Sequence, residues 1–223
     1  SPFQDRGEKM GMTSRNEFDE NAEVVLAAKS VTFGALAVLF QAEPTEPVLE
    51  AALSPAVRDA FAVAVGEDSA AALFDELAEA ATAGMDSLGS EYMRLFVGPN
   101  APVAPPWESV YREPGRCLYN ASTLAVETAY RELPFTCGDV PDGPKDHVAF
   151  ECSFLSSCFQ RALDALSAGD ETEAARCCQV ASRFIRNHMA RWVPEFAQSA
   201  DTETTPFYAT ATRLLSNLTT PEA

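Results

Sequence analysis

The sequence predicts an all-α protein, on three observations. Apolar residues recur at helical spacing along most of the chain, no stretch alternates apolar and polar residues as a half-buried strand would, and most prolines and glycines cluster between the periodic runs. With 223 residues, 47% hydrophobic and 22% charged, the chain can bury about 70% of its unfolded surface and needs no staple to hold a core. No internal repeat is present.

The elements follow in order. Ser14 and Glu17 have the spacing of a capping box and precede Val24, Ala28, Val31, Ala35 and Leu39, which share one helical face. Pro44 and Pro47 break that run, Ser54-Pro55 restarts it with a cap and a first-turn proline, and Asp68 is placed to cap an Ala- and Leu-rich helix ending near Gly84. A helix is expected over 86–96. Gly98, Pro99, Pro102, Pro105 and Pro106 then forbid regular structure until about Trp107. Residues 122–132 read as helical, and 134–144, with Gly138 and Gly143, as a second irregular connection. Two long helices come next, 146–168 with Asp146 as N-cap and His147 in the first turn, and 171–192 capped by Asp170-x-x-Glu173 and ended by Pro194. Thr205-Pro206 opens a last helix with Phe207, Ala211, Leu214 and Leu218 on one face.

This pattern divides the chain into an N-terminal helical part, 12–97, a Pro-rich hinge-like loop, 98–121, and a C-terminal helical part, 122–223, which can pack as one compact domain. Residues 1–11 precede Met12 and read as an appended remnant or a disordered start.

Charge narrows the function. The formal net charge is −17 and the pI about 4.4, which argues against a nucleic-acid backbone or an anionic membrane surface as partner. Residues 12–100 hold 15 acids against 4 bases, so the N-terminal half carries most of the field. The apolar stretch 24–40 contains Lys29 and Ser30 and follows an acidic run, so neither a membrane span nor a signal peptide is expected. Six cysteines, at 117, 137, 152, 158, 177 and 178, show no Cys-x-x-Cys. Four of them lie in helical patterns, where free cysteine behaves as a small buried hydrophobe, and a reducing cytoplasm is the simplest setting. No metal and no cofactor are expected: the two histidines do not follow a glutamate by three residues, His147 and Glu151 alone do not make a metal site, and no phosphate loop, dinucleotide fingerprint or nucleophile elbow occurs.

The unusual passage is Glu91-Tyr92-Met93-Arg94-Leu95-Phe96-Val97-Gly98-Pro99, continued by Ala104-Pro105-Pro106-Trp107-Glu108-Ser109-Val110-Tyr111. It joins a helix to an aromatic, proline-stiffened loop, which loses little entropy on binding. Glu91 and Glu108 add carboxylates, the natural bidentate partners of a guanidinium. Tyr92 and Phe96 suit core packing better; Trp107, Glu108 and Tyr111 suit a surface that grips an apolar peptide with basic residues.

This passage closely resembles the signature of the TorD/DmsD family of cytoplasmic maturation chaperones for molybdenum-containing oxidoreductases. A second string, Pro144-Lys145-Asp146-His147-Val148-Ala149-Phe150-Glu151, is similar to that family's Pro-x-Asp-His segment, and the segment Phe184-Ile185-Arg186-Asn187-His188 to Trp192 extends the likeness. The resemblance implies an all-helical chaperone without catalysis that binds the twin-arginine signal peptide or the apo-form of a molybdopterin oxidoreductase and delays export until the cofactor is inserted. It points to Tyr92, Leu95, Phe96, Trp107, Glu108, Ser109, Tyr111, Asp146 and His147 for the peptide, and to Gly98, Pro99, Pro105 and Pro106 for shaping the loop. Two alternatives stand beside it: a NarJ-type chaperone holding the mature client body without reading a leader, and a weak nucleotide hydrolase using Asp146 and His147. Either a monomer or a dimer exchanging C-terminal helices is compatible with the long loop.

Overall fold

Ser14–Gln41 runs 28 residues without a proline and forms α1. Leu26, Phe33, Leu36 and Phe40 line its buried face. Gly34 sits where α1 meets the helix Val148–Ser167 (α8), so close that a Cβ would lie 3.3 Å from Ser156 Oγ. The two helices form the central pair of the fold. Across it Phe33 stacks on Phe159 with ring centroids 5.9 Å apart, and Ser156 Oγ donates to the Ser30 carbonyl at 2.8 Å. The computed structural model describes residues 14–65, 67–135, 143–202, 204 and 206–220, and among these every regular element is helical, apart from one isolated β-bridge between Trp107 and His147.

Around the central pair the chain adds short helices: Glu46–Ala52 (α2), Pro55–Val65 (α3), Glu67–Ala81 (α4) and Met85–Tyr92 (α5), the last passing into a π-helical turn, Met93–Val97. Glu108–Arg112 (α6) and Ala121–Tyr130 (α7) precede α8, and Glu171–Asn187 (α9) packs on the other side of it. Val193–Ala200 (α10) and Pro206–Thr219 (α11) complete the fold, α11 lying against α4 and α10. One core joins the parts divided at 98–121: Phe40 meets Phe96, Phe196 and Tyr208. Asn21–Gln41 is long and apolar enough to cross a membrane by length and composition, but its apolar side here faces α8 and α3.

Several sequence expectations require correction. Pro47 opens α2 where only a break was expected, because a first-turn proline loses no helical hydrogen bond. Pro194 likewise stands in the first turn of α10 instead of ending α9. The helix before it stops at Asn187, where His188 leaves helical geometry (φ −118, ψ −86), and a 3₁₀ turn, Met189–Arg191, links the two. The helix α4 spans Glu67–Ala81, with position 68 inside it, and the expected cap falls on the Asp68 side chain, which lies outside the described residues. Asp170 does cap α9, accepting from the Glu173 N–H at 3.0 Å. The side chains of Ser14 and Glu17, residues 1–11, Cys137 and Asp142 lie outside the described residues.

Candidate functional site

The two strings that carry the family resemblance meet in space. The Glu108 N–H donates to the Asp146 carbonyl (3.0 Å) and the Val148 N–H to the Pro106 carbonyl (2.8 Å), which draws the start of α6 against the start of α8. Asp146 is fully buried, and its Oδ2 accepts from the Ser109 N–H at 2.7 Å. The expected cap assignment is therefore corrected: Asp146 caps α6, and His147 caps α8, its Nδ1 accepting from the Ala149 N–H at 3.1 Å. That bond requires an unprotonated Nδ1. Burial pushes the His147 imidazole down to about 4 against the charge of Asp146, so it is neutral at physiological pH. The Trp107 ring packs edge-on against His147, centroids 5.3 Å apart. A nucleotide hydrolase built on Asp146 and His147 would have to use groups already committed to helix caps.

The Pro-rich loop inside the first string is tied to its surroundings at several points. Ala104 is fully buried and its N–H donates to the Leu95 carbonyl at 2.9 Å. Gly98 adopts φ 63, ψ 161, a conformation open essentially to glycine alone, and a Cβ there would strike the Asn100 carbonyl. Asn120 caps α7 and also donates from Nδ2 to the carbonyls of Ser109 and Cys117, both at 3.0 Å.

Beneath this junction lies a buried polar cluster. Glu108, 1% exposed, accepts from Arg112 Nη1 at 3.0 Å and lies 3.0 Å from His188 Nδ1. Arg112 also donates to the Asn187 carbonyl at the end of α9 (3.1 Å), tying α6 to that terminus. Glu151, fully buried, accepts from Trp192 Nε1 at 3.1 Å. Burial foremost, then the nearby Glu108 and Asp146 carboxylates, push Glu151 well above the usual range, so it is held as a neutral acid. Glu91, 6% exposed, accepts from the Tyr208 N–H at 3.2 Å, and burial pushes it up to about 7.

These placements sort the expected site residues. Tyr92, Leu95 and Phe96 belong to the core, where Tyr92 and Phe96 pack edge to face at 5.2 Å, and Ser109 is fully buried. The π turn and α5 face Tyr92, Leu95 and Phe96 inward, and Ser109 is buried on α6, so none of the four stands at the surface of this fold. Glu108 and Glu91 are likewise not surface carboxylates. At the surface stands an open groove of about 540 Å³ where Val103, Pro105, Trp107, Val110 and Leu118 converge. Val103 and Leu118 are exposed, and Tyr119 is 69% exposed. Tyr111 does not line the groove; its ring stacks on Trp192 at 5.5 Å. Pro106 is buried and Pro99 exposed. A larger opening of about 670 Å³ between α1 and α8 is lined mostly by polar side chains, and several of these are already engaged, Ser156 with Ser30, Gln160 with Asp164 and Arg161 with the Pro134 carbonyl, so the apolar groove is the better candidate. No cluster of metal-ligating side chains exists among the described residues. Sequence reasoning gave no site role to Arg112, Asn120, Glu151, His188 or Trp192, although Glu151, His188 and Trp192 fall in the strings that carry the resemblance. Helical spacing held a clue for one of them, because Glu151 falls on the apolar face of Val148 and Leu155.

Comparison with known proteins adds to this geometry. Residues 60–198 match the family model described as nitrate reductase delta subunit. The Haemophilus influenzae protein described as Tat proofreading chaperone DmsD is 24% identical over 123 residues, 55% of this chain and 53% of that protein. The Tat proofreading chaperone DmsD of Salmonella typhimurium is 37% identical over 62 residues, 28% of this chain and 30% of its own. The matches thus span about half or less of the curated relatives' length. A solved structure described as a redox enzyme maturation protein, from Archaeoglobus fulgidus, is 21% identical with a TM-score of 0.49, covering 82% of this chain and 91% of that one.

Proposed function

The chain belongs to the nitrate reductase delta subunit family, and from that membership together with the groove at Trp107 we propose that it is a maturation chaperone which binds the twin-arginine signal peptide of a molybdopterin-containing oxidoreductase in the cytoplasm and delays export until the cofactor is in place. The observation that carries this reading is the exposed apolar groove beside Trp107, walled by Pro102 and Pro105, on a protein of net charge −17. A twin-arginine leader combines two adjacent arginines with an apolar stretch. The groove supplies dry surface for the second, and the acidic protein attracts the first. The preformed loop loses little freedom on binding.

A second reading, that the mature client body is held without recognition of its leader, draws support from Glu108: the carboxylate beside Trp107 is buried and committed to Arg112 and His188. One experiment separates the two. Calorimetric titration with a synthetic leader, beside a control with both arginines changed to glutamine and at two salt concentrations, gives arginine-dependent, salt-weakened binding in the micromolar range if the leader is recognised. Binding of the apo-client alone, unchanged when its leader is removed, replaces that reading with the second.

A further inference from the structure

The turn 113–120 at the edge of the groove carries an arginine in an unusual setting. Arg116 has φ 51 and Tyr119 φ 59, left-handed conformations that side chains other than glycine and asparagine rarely adopt. From this turn the Arg116 guanidinium lies over the Tyr111 ring, 5.1 Å from its centroid, and its Nη1 stands 3.5 Å from Glu195 Oε1 on α10. An aromatic face and a carboxylate converging on one guanidinium are the two elements of an arginine receptor. Both partners are held from behind: the Tyr111 ring is stacked on Trp192 and edge-packed on Phe196 at 6.1 Å, and Glu195 stands in the first turn of a helix whose inner face is core. Arg116, by contrast, is more than half exposed, as is Glu195, and an ion pair of that exposure is readily exchanged.

We propose that Tyr111 and Glu195 form a guanidinium subsite for a peptide arginine, and that Arg116 occupies it as a placeholder until the peptide displaces it. The subsite adjoins the apolar groove, since Arg116 borders the same opening as Val103, Trp107 and Leu118. A peptide with arginine followed by apolar residues can therefore engage both at once. The inference rests on the leader-binding reading for its biological ligand, but the subsite is defined by its own chemistry. A tethered competitor lowers the apparent affinity by the fraction of molecules in which the site is filled. Removing it should tighten arginine binding about 3- to 10-fold, given the strength of exposed cation–π and ion pairs.

The test uses two probes on the wild-type chain, Arg116→Asn and Arg116→Asn/Glu195→Gln. Asparagine is chosen because it tolerates the left-handed backbone. The first probe is the blocked dipeptide acetyl-Arg-Arg-amide, followed by NMR shifts. The expected result is perturbation of Tyr111 and Glu195 resonances, with about 3- to 10-fold tighter binding to Arg116→Asn than to wild type and loss of that gain in the double variant. Equal affinity for wild type and Arg116→Asn, or perturbations elsewhere only, overturns the proposal whatever the second probe does. The second probe is a synthetic twin-arginine leader by calorimetry. If the dipeptide behaves as expected and the leader binds no better than its glutamine control, the subsite stands and the leader reading falls.

Discussion

Asp146 caps a helix to which it is not covalently adjacent: its carboxylate, one residue before the N-cap of α8, accepts from the Ser109 N–H of α6 at 2.7 Å. The two strings most suggestive of function in the sequence are therefore each other's structural partners. Their backbones exchange two further hydrogen bonds, Glu108 N–H to Asp146 O and Val148 N–H to Pro106 O.

Asp146→Ala leaves a buried N–H without its acceptor and should destabilise the fold by about 1–3 kcal/mol, whereas Asp146→Asn, which retains an acceptor oxygen, should lose less. Denaturant unfolding of both variants checks this. Equal stability of Asp146→Ala and the wild type would remove the capping role.

Trp107 and Glu108, neighbours in sequence, should respond oppositely to truncation. Trp107→Ala strips the groove and should weaken peptide binding with the melting temperature nearly unchanged. Glu108→Ala leaves Arg112 and His188 facing a buried void, and loss of one partner from such a cluster is expected to cost about 3–5 kcal/mol. Paired thermal melts and peptide titrations distinguish the two effects. A Glu108→Ala variant as stable as wild type with lost binding would return this carboxylate to the peptide surface.

Stability should depend on pH through Glu91. Its carboxyl, pushed by burial from 4.5 up to about 7, keeps its proton in the folded chain over a range where the unfolded chain releases it. Stability therefore rises as pH falls through that window and is lost as pH rises through 7. Glu151, also pushed upward by burial, has the same sign. His147 opposes them: pushed down to about 4, it stays neutral while the unfolded chain takes up a proton below 6.5, so its contribution is lost on acidification. Glu91→Gln should gain up to about 3 kcal/mol over wild type at pH 8, less than about 1 kcal/mol near pH 5 and almost nothing near pH 4. Urea unfolding at these pH values tests it, and a pH-independent difference would assign the effect to packing.

Thiol reactivity should divide by burial. Cys117 is exposed, while Cys152, Cys158 and Cys177 are buried, with Cys158 pushed by burial up to about 12. A thiol reagent should label Cys117 rapidly in the folded protein and those three only on unfolding. Rapid native labelling of Cys158 would show that α8 and α9 open readily.

Much of this architecture was legible in the chain itself. The helical periods of α1, α8, α9 and α11, the cap at Asp170 and the irregular run through Pro99 to Pro106 are local properties: spacing and backbone preference act within a few residues, so a single sequence carries them. The fate of the polar residues was not local. Whether Glu108 faces water or His188, 80 positions away, whether Asp146 caps α8 or α6, and whether Arg116 points outward or lies over Tyr111 depend on which helix ends the fold brings together. A carboxylate reads the same in sequence whether it serves a ligand or a buried partner; only tertiary packing, by removing water from Glu108, Asp146 and Glu151 and leaving it at Trp107 and Glu195, decided which were structure and which were surface.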